Sequence, residues 1–297
     1  MALHRDQVST TSGGQPYDLA DGARLQNWHA ELDLIFKRKQ ARTVLAERRH
    51  HGPLRVQKTL YPEDPAVCHT IVIHPPGGMA GGDRLALRCA LEGKSHALLT
   101  TPGAGKWYKS GGAEAVQGIA HRLERAAILE WLPQETILYD AAWAEWSMQV
   151  ELDTDAVFAG WDIVCFGRRA CGEDFRHGKL HQKLTIYREG KMLWSEQAHF
   201  RGDDRLMLSP AGLAGASVSA VMVVAAGEIP QSLLHACRLQ SPADDMRVGI
   251  SALPGILVAR CLCNNALAAR DYFEALWREL RPWYAHLPAV RPRIWNT

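Results

Sequence analysis

Two glycine-rich segments are the first places where this sequence could do chemistry. TTPGAGKWYKS (100–110) follows a strand-like run and places a lysine directly after a glycine, as phosphate-binding loops do. Such a loop also needs a glycine five residues before Gly105 and a hydroxyl residue after Lys106. This segment has Thr100 and Trp107 at those positions, so it meets neither requirement. HPPGGMAGGDRL (74–85) has the right glycine spacing, but Asp83 stands in place of the lysine and would repel a phosphate. Neither segment therefore predicts a nucleotide site.

Thirteen histidines and seven cysteines raise the question of a metal centre. His177 and His181 are four residues apart, but the surrounding alternation predicts a strand, along which four residues span about 13 Å. One ion could not bridge that distance. Cys261 and Cys263 form a C-x-C pair with no second close pair to complete a zinc site, which favours core packing. The cysteines are odd in number and scattered along the chain, and no export signal precedes them. These features indicate free thiols in a reducing cytoplasm.

Charge and hydropathy exclude several other classes of protein. The formal net charge of +2 predicts neither a nucleic-acid partner nor an anionic membrane surface. The sequence has no run of 18 or more apolar residues, so no membrane span is expected. Residues 1–25 are polar and rich in Gly, Ser and Thr, which predicts a disordered tail. We expect residues 26–297 to form a single domain.

Period-two alternation dominates the elements that must position any site. WHAELDLIFKR (28–38) alternates apolar and polar residues, and similar runs recur through most of the chain. HGKLHQKLTIYREGKMLW (177–194) predicts a hairpin that turns near Glu189 and Gly190. Strands followed by helices do not suit alternating βαβ units. The sequence therefore predicts a mainly β fold, a many-stranded antiparallel or mixed β scaffold with about two α-helices in the C-terminal third.

Helical spacing is confined to two segments of that C-terminal third, at about 231–240 and 265–286. Asn264 or Asn265 is expected to cap the second helix, and Pro282 to interrupt it. Three aromatic side chains on that helix are candidates for partner binding, with core packing as the alternative: Tyr272, Phe273 and Trp277.

The glycines, prolines and aspartate of segment 74–85 are explained most simply by a tight turn between two strands. Glycine supplies the positive φ angles that tight turns need, and Asp83 at its exit is placed either to cap backbone amides or to face a cation.

Four segments together resemble the urease accessory protein D family, known as UreD or UreH. Two are the glycine segments 74–85 and 100–110, and the others are GPLRVQKTLYPE (52–63) and LEWLPQETILYDAA (129–142). They occur in the family's order, and the resemblance extends from about Ala30 to the C-terminus.

This resemblance implies a scaffold that is not an enzyme and has no tightly bound cofactor. Proteins of the family bind apo-urease and recruit the accessory protein UreF and the GTPase UreG, so any nucleotide belongs to UreG. The complex inserts nickel into urease, and Ni²⁺ is thought to pass transiently through the interior of the family protein. Single imidazole and carboxylate ligands suit such transit, because they bind the ion and release it. The family motifs contain four candidates for contact with nickel: His74, Asp83, Glu135 and Asp140.

One alternative remains open from the residues alone. A metal-dependent hydrolase on a β scaffold would use His74, Asp83 and one further histidine as its ligands.

Overall fold

The computed structural model describes residues 27–296, so the tail predicted for residues 1–25 lies outside the described residues. About half of the described chain is in β-strands, with two α-helices, which confirms the predicted fold class. The strands form two mixed sheets.

The first sheet contains seven strands. In order across the sheet they are β14 (Lys191–Arg201), β13 (Lys179–Arg188), β11 (Trp143–Leu152), β8 (Ala115–Leu123), β5 (Arg84–Leu91), β1 (His29–Lys39) and β2 (Arg42–His51). The five strands from β13 to β1 run parallel, and antiparallel hairpins close both edges. The β13–β14 hairpin turns through Glu189 and Gly190, both with positive φ, as the sequence predicts.

The second sheet contains ten strands. Along its main path they are β16 (Arg247–Leu253), β17 (Ile256–Cys263), β15 (Val218–Ala225), β12 (Val157–Phe166), β9 (Ile128–Trp131), β6 (His96–Thr100), β4 (Val67–Ile73) and β3 (Arg55–Leu60). Two short strands pair beside β12, namely β10 (Thr136–Leu138) and β7 (Gly105–Trp107). The middle of this sheet, from β12 to β4, is also parallel.

Parallel strands without intervening helices require another kind of connection, and here the opposite sheet provides it. From β4 to β13 the chain passes repeatedly from one sheet to the other. A parallel pair needs a crossover segment, usually a helix. In this fold a strand of the second sheet connects successive strands of the first, and the reverse also holds.

Two hydrophobic cores result from this arrangement. In β1 the residues Ala30, Leu32, Leu34 and Phe36 are buried while their neighbours are more exposed, so one face of the first sheet packs inward. β12 is buried along almost its whole length, because helices cover the face of the second sheet that points away from the first.

The helices lie near the predicted positions. They are α1 (Gln231–Arg238) and α2 (Ala266–Ala285). The Asn265 side chain accepts hydrogen bonds from the amides of Leu267 and Ala268, which resolves the predicted alternatives for the cap. Pro282 does not end α2, which continues to Ala285, so the expected interruption was wrong. Within residues 27–296, neither helix is both long and apolar enough to cross a lipid bilayer.

A buried ionic cluster fixes the end of α2 to the second sheet. We define this buried ionic cluster as Glu63, His69, His96, Glu130 and Arg281. Arg281 is wholly buried and donates to Glu130 at 3.0 Å and to both oxygens of Glu63 at 2.7 and 2.9 Å. His69 contacts Glu63, and His96 contacts Glu130, each at 2.6 Å.

The charges of this cluster are mutually compensated. Burial alone would raise the pKa of Glu130, but the contact with His96 and the charge of Arg281 hold it at about 2. Trp277 and Tyr284 add hydrogen bonds to the same carboxylate at 2.6 and 3.2 Å. The residues of α2 are thus held by polar contacts as well as by packing.

Candidate functional site

The two glycine segments pack against each other at the edge of the second sheet. The amide of Met79 donates to the Lys106 carbonyl at 2.8 Å, and the amide of Tyr108 donates to the Met79 carbonyl at 2.8 Å. A Cβ atom on Gly78 would lie 2.5 Å from the Tyr108 ring, so glycine is required for this close approach. Gly77 has a positive φ of 82°, typical of turn chemistry. The segments are therefore structural partners in this fold.

Asp83 caps the turn that the first glycine segment forms. One carboxylate oxygen accepts the Trp28 amide at 2.8 Å, and the other accepts the Ala80 amide at 2.7 Å. The side chain is only 2% exposed. Asp83 was expected either to cap backbone amides or to face a cation, and these contacts show that it caps backbone amides.

Asp140 and Glu135 also have charged or polar partners. Asp140 accepts the amides of Arg176 and His177 at 2.7 and 2.8 Å and contacts the His177 ring at 2.8 Å. These donors lower the pKa of Asp140 to about 2 despite the opposing effect of burial. Glu135 lies 3.7 Å from the Arg270 guanidinium.

His74 differs from these three carboxylates, because its side chain lines a cavity. This cavity, called the second cavity below, has a volume of about 350 Å³. It lies between the sheets, beside the two glycine segments. The Nε2 atom of His74 is buried and has no hydrogen-bond partner within residues 27–296. Burial lowers the pKa of His74, with an opposing contribution from the charge of Asp83. The ring is therefore neutral at pH 7, and its Nε2 atom is unpartnered among the described residues.

A first cavity of about 410 Å³ adjoins the second one between the sheets. It lies among β13, β14, β15 and β17, and its polar rim includes Glu196 and Arg260, whose side chains form an ion pair at 3.1 Å. The two cavities share three lining residues: Trp131, Trp146 and Asp162. These residues therefore form part of the wall of both cavities.

Asp162 is the central titratable group of this site, and the motif comparison missed it. It lies on β12, is 9% exposed, and its Oδ2 accepts a hydrogen bond from Gln182 Nε2 at 2.6 Å. Burial and the nearby charge of Glu196 raise the pKa of Asp162 to about 7, although the Gln182 bond opposes the shift. The signal was present in VFAGWDIVCF (157–166), where Asp162 is the single charged residue of an otherwise buried strand.

The raised pKa of Asp162 predicts a pH-dependent stability. The folded protein holds this proton up to about pH 7, whereas the unfolded chain releases it near pH 3.8, so the unfolding free energy falls as the pH rises between those values. Asp162→Asn removes the effect. Urea unfolding should show the variant gaining about 2–3 kcal/mol on the parent protein between pH 5 and pH 8.

The control for this measurement is Asp153→Asn, which changes an exposed carboxylate at the end of β11. A stability difference between Asp162→Asn and the parent that does not change with pH would contradict the assignment.

The three aromatic candidates for partner binding lie in the second core. Tyr272 is 5% exposed, and Phe273 and Trp277 are fully buried against the second sheet. The structure thus places them in the core position that the sequence left as the alternative. Contact with a partner would require α2 to move.

The sequence-predicted nickel contacts are not gathered in one place. His74 and Asp83 flank the same turn, while Glu135 and Asp140 have separate surroundings. Within residues 27–296 no three His, Cys, Asp or Glu side chains are arranged to hold a metal ion. The three-ligand group that the hydrolase alternative needs is therefore not among the residues described.

Comparison with known proteins places these features in a family. The family model described as "UreD urease accessory protein" matches residues 29–296. The urease accessory protein UreD of Dechloromonas aromatica is 54% identical over 274 residues, which cover 91% of this chain and 95% of the relative. The proteins of the same name from Methylobacillus flagellatus and Pseudomonas fluorescens are 50% and 49% identical, covering 92% and 91% of this chain and 95% and 96% of the relatives. This chain therefore belongs to the UreD family of urease accessory proteins.

Proposed function

We propose that this protein is a non-catalytic cytoplasmic scaffold that binds apo-urease, recruits UreF and UreG, and lets Ni²⁺ pass between its two sheets. The pair of adjoining cavities that meet at Asp162 is the observation that carries the proposal. All seven cysteines are free thiols, which supports a reducing compartment.

The chemistry of the cavity walls suits an ion in transit. Ni²⁺ accepts imidazole nitrogen and carboxylate oxygen, and His74 and Asp162 supply one of each. Within residues 27–296 neither belongs to a group of three His, Cys, Asp or Glu side chains that could hold a metal, so an ion would bind weakly and leave. The Asp162 carboxyl, with its pKa at about 7, would exchange its proton for the cation with little loss of free energy.

This route revises the set of proposed nickel contacts. His74 remains from the motif comparison, and Asp162 joins it. The proposal gives Asp83, Glu135 and Asp140 a supporting role instead, because amide, imidazole or guanidinium donors engage their carboxylates.

The test uses the whole urease gene cluster expressed in a bacterial host, with affinity capture of this protein and nickel analysis of purified urease. Asp162→Ala should still recover UreF, UreG and apo-urease. The nickel content of urease should fall by about tenfold or more at limiting external nickel, as expected when a metal contact is removed.

A second variant blocks the route sterically. Ala198→Trp fills the first cavity from β14, while Ser195→Trp places the same ring on the exposed face of that strand as the control. Normal nickel loading in both Asp162→Ala and Ala198→Trp would refute the interior route. Failure of the unmodified protein to capture UreF or apo-urease in mild salt would refute the scaffold.

A further inference from the structure

The outward face of the β13–β14 hairpin presents two histidines directly opposite each other. His181 on β13 pairs in register with His199 on β14, and their ring centroids are 4.0 Å apart. Opposite residues on adjacent antiparallel strands have Cβ atoms about 5 Å apart, close enough for both rings to reach one ion. This pair lies on the opposite face of the sheet from the cavities.

The two imidazoles converge on one point. The amide nitrogen of Gln197 lies 2.9 Å from Nε2 of His181 and 3.0 Å from Nε2 of His199. Both Nε2 atoms therefore lie within hydrogen-bond distance of the same atom, so the two rings converge on one position where a cation would be bound by both.

We propose that His181 and His199 form a surface site for a divalent transition-metal ion such as Ni²⁺ or Zn²⁺. The ion would take the position of the Gln197 amide and bind both Nε2 atoms. Imidazole is a preferred ligand of these ions. Because the residues described offer no third His, Cys, Asp or Glu ligand in position, water completes the coordination and the ion exchanges readily.

The charges around the pair permit a cation. Glu145 on β11 is paired in register with His181, on the side of β13 away from His199. Paired residues lie on the same face of a sheet, so its carboxylate is on the face that carries the two histidines. The nearby Lys179 lies over the Trp143 ring, 4.0 Å from its centroid. Among the other cations of this face, Arg201 pairs with Asp203 and Lys183 is exposed to solvent.

This site is independent of the proposed interior route, and the experiment keeps the two apart. Full-length protein is titrated calorimetrically with NiCl₂ in a non-coordinating buffer, both in the parent and in an Asp162→Ala background. His181→Ala and His199→Ala should each lose one bound ion per chain in both backgrounds. The double variant should also lose one ion and not two, because both rings bind the same ion.

The matched control is His50→Ala, which removes an exposed strand histidine from the opposite edge hairpin of the same sheet. It should retain the full stoichiometry. Anomalous scattering from a nickel-soaked crystal should place an ion between His181 and His199. Unchanged stoichiometry in both single variants, or loss of two ions in the double variant, would overturn the site, whether or not the interior route holds.

Discussion

Replacing Arg281 with methionine should lower the free energy of unfolding by about 3–5 kcal/mol, the usual cost of removing one partner from a buried ion pair. Methionine fills much of the same volume but leaves Glu63 and Glu130 facing each other without the guanidinium. Glu130 is wholly buried, so its charge has no access to water. Urea denaturation followed by tryptophan fluorescence at pH 7 measures the change.

Arg278→Met supplies the matched control on the same helix. Arg278 is more than half exposed, and its buried partner Glu274 keeps the guanidinium of Arg291, so the loss of Arg278 should cost less than about 1 kcal/mol. Adding Glu130→Gln to Arg281→Met should restore part of the stability, because it removes one of the two buried carboxylate charges that the Arg281 guanidinium no longer offsets. Equal effects of Arg281→Met and Arg278→Met would show that the buried ionic cluster does not stabilise the fold.

Trp277→Ala should also cost about 3–5 kcal/mol, because it removes a large, fully buried side chain. The indole contacts Trp161 edge-on at 6.5 Å between centroids and donates to Glu130 at 2.6 Å. The substitution therefore leaves a cavity and takes one donor from the buried carboxylate. Thermal and urea unfolding of the purified variant provide the measurement.

Trp283→Ala is the corresponding control, since Trp283 lies on the same helix but is partly exposed. It should destabilise the protein much less. If Trp277→Ala instead kept its stability while losing capture of UreF or urease, Trp277 would be an interface residue and the position of α2 in the free protein would need revision.

Local patterns in the sequence predicted the elements well. Alternation in HAELDLIFKRK (29–39) identified the buried face of β1, and the Glu189–Gly190 turn identified the β13–β14 hairpin. The pairing of the other strands was not predictable in this way. Alternation determines which side chains face the core, but it does not say that β1 lies beside β5 or that their pairing is parallel.

The candidate site shows the same limit more sharply. A resemblance of motifs located His74, which lines a cavity, but it also located Asp83, whose oxygens are taken by two backbone amides. Those amides are brought to Asp83 by the tertiary fold, so spacing could not reveal them. Asp162 carried a visible signal as a charge within an apolar strand. Arg281 carried a similar one on the buried face of α2, while its partner Glu63 is 218 residues away in the chain.

The passage of the chain between two sheets makes most of its contacts long-range in sequence. β1 can pair with β2 through a short turn, but its other edge must wait until the segment containing Arg84 reaches His29. Closing such loops costs entropy before any pairing repays it, and proteins dominated by non-local strand pairs fold in milliseconds to seconds or more slowly. During that time apolar strands such as β12 are uncovered and prone to aggregate. We therefore expect a higher yield of soluble chain when the partners proposed above are present during synthesis than when they are mixed with it afterwards.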